Sequence, residues 1–266
     1  MTYAAFLVQF LVVPIVILGV LVYRDRRRPT ALTHGLLSPP LALAALAVIA
    51  VVYTTLWDNH LVATGIWRYD PALVMGITLG WVPLEEYLFF ILQPLLTGLG
   101  FLLLARRIST TASFRPDSDS RIVSALVVSI VWLTSVALLL VGWKPGRYLS
   151  LELAWALPPI ALQLAVGADI LWRFRRVVVP SIVMGTLYLC GADWLAIRSG
   201  TWTINAEYSL GVLVGGVLPI EEIIFFLVTN VLLVFGLTLA LAQESLTRLP
   251  SRITGKLTED KRLSSG

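Results

Sequence analysis

Seven stretches of this chain, at about residues 3–23, 39–57, 82–105, 122–142, 149–172, 177–196 and 210–241, are almost free of charge and long enough to cross a bilayer. A hydrocarbon core of about 30 Å takes about 20 helical residues at ~1.5 Å each. Backbone polar groups in hydrocarbon must be paired within helices or closed barrels. The apolar runs are continuous rather than alternating, so helices are expected and a barrel is not. Only 14% of residues are charged, against about 25% in a soluble domain. Apolar residues begin at once and Arg24 to Arg28 follow them, which reads as an uncleaved first helix rather than a signal peptide.

The basic residues set the expected orientation. Sixteen of the 20 lie after the first, third, fifth and seventh segments; Arg68, Lys144, Arg147 and Arg198 lie on the other side. Such asymmetry predicts a protein of the cell membrane, N-terminus outside and C-terminus cytoplasmic, with anionic lipid as a partner and nucleic acid excluded. One cysteine, Cys190, and two histidines, His34 and His60, give no disulfide and leave little to hold a metal.

The chain repeats itself. Asp58, Gly65 and Trp67 recur 135 residues later as Asp193, Gly200 and Trp202. Pro83-Leu84-Glu85-Glu86 with Phe89-Phe90 recurs 136 later as Pro219-Ile220-Glu221-Glu222 with Phe225-Phe226, and Tyr3 and Pro14 recur 145 later as Tyr148 and Pro159. The expected fold is all-α: a polytopic membrane protein of about seven helices, two parallel three-helix repeats joined by one helix. Residues 1–107 form the first repeat, 108–147 a loop and connecting helix, 148–242 the second repeat and 243–266 a polar tail. The stretch 108–121 reads as loop and the tail as disordered. Residues 72–81 and 208–218, rich in glycine and ending near a proline, suggest short or re-entrant approaches to the helices behind them.

Four glutamates beside apolar runs need a reason. Carboxylates in a first helical turn complement the helix dipole by ~0.3–1 kcal/mol, so interfacial acids with no chemical role are the plain alternative. Two copies, each paired and each followed by two phenylalanines, favour a site, because an ionisable residue in a membrane segment is functional by default. Desolvation and a neighbouring anion together outweigh the dipole, so one carboxyl of each pair is expected to keep a proton beside an anion. The candidate catalytic residues are Glu85, Glu86, Glu221 and Glu222. Helical spacing puts Glu86 with Phe90 and Gln93, and Glu222 with Phe226, Thr229 and neighbouring Asn230. Asp58, Trp67, Phe89, Phe90, Gln93, Asp193, Trp202, Phe225, Phe226 and Asn230 are candidate substrate contacts, the aromatics able to steady a cation at ~0.5–2 kcal/mol each.

These residues resemble the lycopene cyclase domain family, the flavin-independent type that occurs as small subunits or fused tandem copies. The likeness runs through Trp57-Asp58-Asn59-His60, Gly65-Ile66-Trp67, both Pro-x-Glu-Glu motifs, Gln93-Pro94, Gly200-Thr201-Trp202 and Thr229-Asn230, and covers nearly all of residues 1–240. It implies cyclisation of a linear, lycopene-like carotenoid by proton addition and removal, with no net redox change and no cofactor. No Gly-x-Gly-x-x-Gly follows a strand, in keeping with this.

Several rivals are weaker. The three lysines, Lys144, Lys256 and Lys261, lie outside the spans, so no retinal Schiff base can form. An intramembrane protease of the Glu-Glu-x-x-x-Arg kind would need arginine where Phe90 and Phe226 stand. Magnesium-diphosphate chemistry would need aspartate-rich clusters. A non-catalytic carotenoid or lipid carrier, or a transporter, stays open.

Overall fold

The computed structural model describes residues 1–32, 35–109 and 113–248. Among these described residues seven helices are long and apolar enough to cross a membrane: α1 (Tyr3–Arg27), α2 (Pro39–Ala63), α3 (Leu84–Arg107), α4 (Ser118–Val141), α5 (Arg147–Arg173), α6 (Arg175–Arg198) and α7 (Ile220–Leu241). Their outward faces stay apolar, with Leu56 81% and Leu140 84% exposed. Hydrocarbon is the solvent that such a surface requires. Helix α3 is the most enclosed, packing on α1, α2, α6 and α7, whereas α4 leans mainly on α5.

Proline and tyrosine tie the halves together. A proline inside a helix offers no N–H to the carbonyl four residues back. Pro14 does this to Phe10 and Pro159 to Trp155. The Tyr188 hydroxyl of α6 donates to the Phe10 carbonyl at 2.9 Å, and the Tyr53 hydroxyl of α2 to the Trp155 carbonyl at 2.8 Å. Tyr53 and Tyr188 are themselves 135 residues apart. Pro158 likewise leaves the Ala154 carbonyl to the Trp132 indole N–H of α4, at 3.2 Å. Directly before Pro14, residues Val8–Val12 take a π-helical turn, the local form in which a ladder skips a missing donor.

At the end of the bundle where α2 and α6 finish, Gly65 and Gly200 take left-handed backbone conformations, φ 71° and 73°. Each stops its helix with the same pair of bonds, Gly65 N–H to Val62 and Ile66 N–H to Leu61 in one half, Gly200 N–H to Ile197 and Thr201 N–H to Ala196 in the other. The chain then enters β1 (Trp67–Tyr69) or β4 (Trp202–Ile204), which pair antiparallel across the halves with Arg68 opposite Thr203. Those two residues are equivalent, so the local two-fold passes between them.

Residues 72–81 and 208–218 fold as short pieces. Thr78–Leu79 (β2) pairs with Val82–Pro83 (β3), and Leu213–Val214 (β5) with Leu218–Pro219 (β6), as small hairpins turned by left-handed glycines. Left-handed glycine suits a tight turn, and hairpin pairing satisfies backbone groups that an unwound intramembrane segment would leave bare. The last helix accordingly starts at Ile220, not near residue 210. Pro83 and Pro219 sit in extended conformation as N-caps rather than in the first turn.

The other end of the bundle carries most of the ion pairs, Lys144–Glu207 near β4 excepted. Arg107 Nε lies 2.7 Å from Asp25, Arg173 2.6 Å from Glu244, and Arg248 pairs with Asp169. These contacts order Gln243–Arg248 as a 3-10 turn, so the expected disordered tail does not begin at 243; residues 249–266 lie outside the described residues. The expected loop 108–121 is likewise shortened, since α4 begins at Ser118, with Asp117 accepting the Ser120 N–H; residues 110–112 lie outside the described residues.

The proline–tyrosine pairing is testable. Tyr53→Phe should lower unfolding stability in mixed detergent by about 0.6–1.7 kcal/mol, the range for interhelical hydrogen bonds in membranes. In a Pro159→Ala background the restored backbone N–H can serve Trp155 instead, and the Tyr53→Phe cost should shrink. An equal cost in both backgrounds would break the link.

Candidate active site

Each residue of the Pro-x-Glu-Glu motif has a separate task, the same in both halves. The proline closes the hairpin strand and caps the helix. The next residue donates its N–H back across the hairpin, Leu84 to Ile77 at 2.8 Å and Ile220 to Val212 at 2.9 Å. The first glutamate accepts a loop N–H: Glu85 Oε1 from Met75 at 2.5 Å, Glu221 Oε1 from Leu210 at 2.6 Å. The second glutamate turns the other way, into a chamber between the halves.

Ten residues line that chamber: Tyr3, Trp67, Tyr69, Glu86, Phe89, Asp193, Trp202, Glu222, Phe225 and Phe226. Its free space is only about 20 Å³, room for about one water. Tyr3 at the start of α1 donates its hydroxyl to Glu86 Oε2, and Tyr69 of β1 donates to the same oxygen at 2.9 Å. Tyr148 at the start of α5 donates to Glu222 Oε1 at 2.7 Å. Trp202 crosses from the second half to pack on Tyr3 at 4.9 Å, while Trp67 crosses from the first half to meet Tyr148 edge-on at 5.9 Å. The β1–β4 ribbon is what exchanges these two indoles.

Asp58 and Asp193 stand behind the glutamates, both buried and both within electrostatic reach of Glu86 and Glu222. Asp193 accepts the Trp202 indole N–H at 2.9 Å, whereas both Asp58 oxygens lack a hydrogen bond among the described residues. A fifth carboxyl, Glu152 on α5, is fully buried, has no partner on either oxygen among the described residues and lies near Glu222 and Glu221. Among the described residues no lysine or arginine pairs with any of these acids. Acids inside a membrane bundle with no cation beside them mark a functional site by default.

The sequence-predicted residues divide by position. Glu86, Glu222, Trp67, Phe89, Asp193, Trp202, Phe225 and Phe226 meet in the chamber. Phe90 and Gln93 line a neighbouring apolar cleft instead, with Thr229 of α7. Glu85 and Glu221 hold the hairpin loops. Asn230 lines neither space: it accepts from Thr97 at 2.7 Å and donates to Thr186 at 3.3 Å, bridging α3, α7 and α6. Sequence reasoning misses Glu152 because the repeat hides it: its counterpart 145 residues earlier is Leu7. A lone glutamate inside an apolar span, one helical turn after Tyr148, is the available signal.

The sequence profile of the lycopene cyclase family matches residues 1–104 and 147–240 of the chain. A lycopene beta-cyclase of Halobacterium salinarum is 44% identical over 194 residues, covering 73% of this chain and 79% of the relative. Bifunctional lycopene cyclase/phytoene synthases of Podospora anserina and Aspergillus oryzae are 37% and 32% identical over 74% and 73% of this chain, which spans about a third of each. No solved structure matches. With its matched segments covering both ends of the chamber, the chain belongs to the lycopene cyclase family.

Proposed function

We propose that this protein closes a six-membered ring at the end of a linear, lycopene-like carotenoid, with Glu222 as the acid and Glu86 as the base. The observation that carries the reading is the meeting of the two motif glutamates, one from each half, in a single narrow aromatic chamber. Glu222 gives a proton to the terminal double bond and leaves a tertiary cation. The next suitably placed double bond attacks that cation and closes the ring, moving the positive charge onto a ring carbon. Glu86 then removes a proton from an adjacent carbon, which fixes the ring double bond. One proton enters and one leaves, so the reaction needs no electron carrier.

The assignment of roles follows from hydrogen bonding. Glu86 receives two phenol hydroxyls on one oxygen, the pattern that suits a carboxylate. Glu222 receives one phenol hydroxyl, with the Trp67 indole N–H and the Glu152 carboxyl nearby; fewer hydroxyls and a neighbouring acid suit a proton donor. The faces of Phe89, Phe225, Phe226, Trp67 and Trp202 surround the space between them and would steady the cation. Glu85 and Glu221 act on this reading as positioning residues, fixing the hairpin loops from which α3 and α7 start. The two halves, 1–107 and 148–242, are functional equivalents that became unequal. The orientation proposed is N-terminus outside in the cell membrane, with the acid chamber in the outer half and the basic end facing the cytoplasm and its anionic lipid.

Pigment analysis in lycopene-making cells, and assay of purified protein in lipid without flavin, nicotinamide or metal, test the reading. Glu222→Gln should lower ring formation by about 10²–10⁴, the usual worth of general acid–base catalysis. Glu86→Gln should also lower it, and its residual product should carry misplaced ring double bonds because proton removal has lost its director. Glu85→Gln and Glu221→Gln keep an oxygen for the loop N–H and should lose much less. Near-normal cyclisation by the Glu86→Gln, Glu222→Gln double variant would leave a carotenoid carrier as the better account.

Orientation has its own test. Cysteines placed at Arg115 or Ser118 should react with an impermeant thiol reagent only from the cytoplasmic side, and one at Gly76 only from outside. Labelling of residue 115 on intact cells would reverse the orientation.

A further inference from the structure

Among the described residues, two of the apolar clefts are related by the same two-fold as the halves. One, about 220 Å³, opens to lipid between α2 and α5 and includes Leu46, Ile49, Tyr53 and Pro159. The other, about 330 Å³, lies between α1 and α6 and includes the equivalent Ser181, Met184, Tyr188 and Pro14. They differ in what lies behind them. Phe89 and Phe225 line both the α2/α5 cleft and the acid chamber, so these two rings are the partition between the spaces. The α1/α6 cleft shares no lining residue with the chamber.

The walls differ as well. Along the α2/α5 opening runs a stack of rings: Tyr53 on Trp155 at 5.6 Å, Trp155 on Trp57 at 4.7 Å and Trp57 on Phe225 at 5.7 Å, with interplanar angles of 25°, 19° and 8°. It leads from the lipid face, where Tyr53 is 42% exposed, to the chamber wall. In the other half the position of Trp57 is Ala192, so the stack cannot form.

Resting on the cyclase reading above, we propose that the α2/α5 cleft is the single binding channel for the polyene chain of the substrate, with Phe89 and Phe225 as its inner gate. A hydrocarbon has no heteroatom to be recognised by, so a flat conjugated chain is held by apolar area and ring faces. With space for about one water, the chamber holds no end group until that gate swings, and the rest of the molecule then lies in the cleft the gate opens onto. One channel admits one end at a time. A second ring therefore requires the one-ring product to leave, turn and return.

Matched substitutions separate the two clefts. Ile49 and Met184 are equivalent and 57% and 60% exposed, so tryptophan at either is accommodated toward lipid but narrows its own cleft. Ile49→Trp should lower ring formation at least tenfold and raise the ratio of one-ring to two-ring product, while Met184→Trp should cyclise like the parent protein. Ala50→Phe in the same channel repeats the test should Ile49→Trp not accumulate in membranes. Loss in both clefts, in neither, or in Met184→Trp alone would overturn the single channel. A parent protein that forms no rings would instead overturn the cyclase reading itself.

Discussion

Hydrocarbon donates and accepts no hydrogen bonds, so any backbone group that a helix fails to pair must find its partner inside the protein. In this bundle the unpaired groups are put there by proline and answered from the other half. Pro14 and Pro159 withhold an N–H from Phe10 and Trp155, and the hydroxyls of Tyr188 and Tyr53 supply the missing donor. The two halves are thereby fastened at two equivalent points, and each proline lines one of the two related clefts. The chamber, the clefts and the crossed tryptophans all depend on this two-point attachment.

Near-symmetry makes the departures from it informative. The first-half glutamate holds two tyrosines, the second-half glutamate holds one tyrosine and a neighbouring acid. Tyr69 has Ile204 as its counterpart, Glu152 has Leu7 and Trp57 has Ala192. All three differences sit around the chamber or at its lipid approach. A buried carboxyl with no partner costs several kcal/mol where an aliphatic residue would cost nothing, so Glu152 is hard to explain as packing. These substitutions leave the two motif glutamates with unequal surroundings, and one of the two related clefts with walls in common with the chamber.

Much of the candidate site is legible along the chain. The doubled motif, its phenylalanines and the offsets of Asp58, Gly65 and Trp67 mark residues that do meet or stand behind one another. Helical spacing groups Phe89 with Glu85 and Phe225 with Glu221, yet both rings line the chamber with Glu86 and Glu222, because a wide helix face serves two spaces at once. Asn230 has the spacing of a site polar group and instead ties three helices together. The hairpins before α3 and α7 look like intramembrane approaches because two-residue strands carry too few positions to show an alternating pattern.

Composition and period fix the class of solvent, the seven apolar segments, the repeat and the identity of the paired acids, all of them local properties of the chain. Helical spacing favours Glu86 and Glu222 as the inward members, but that Glu85 and Glu221 secure the hairpin loops is a matter of tertiary packing. Packing also brings Tyr3 and Tyr148 to those acids, adds Glu152 to them, and lets one of two related clefts reach the chamber. These depend on distances between segments more than 60 residues apart, set by how the helices cross rather than by anything periodic along one of them.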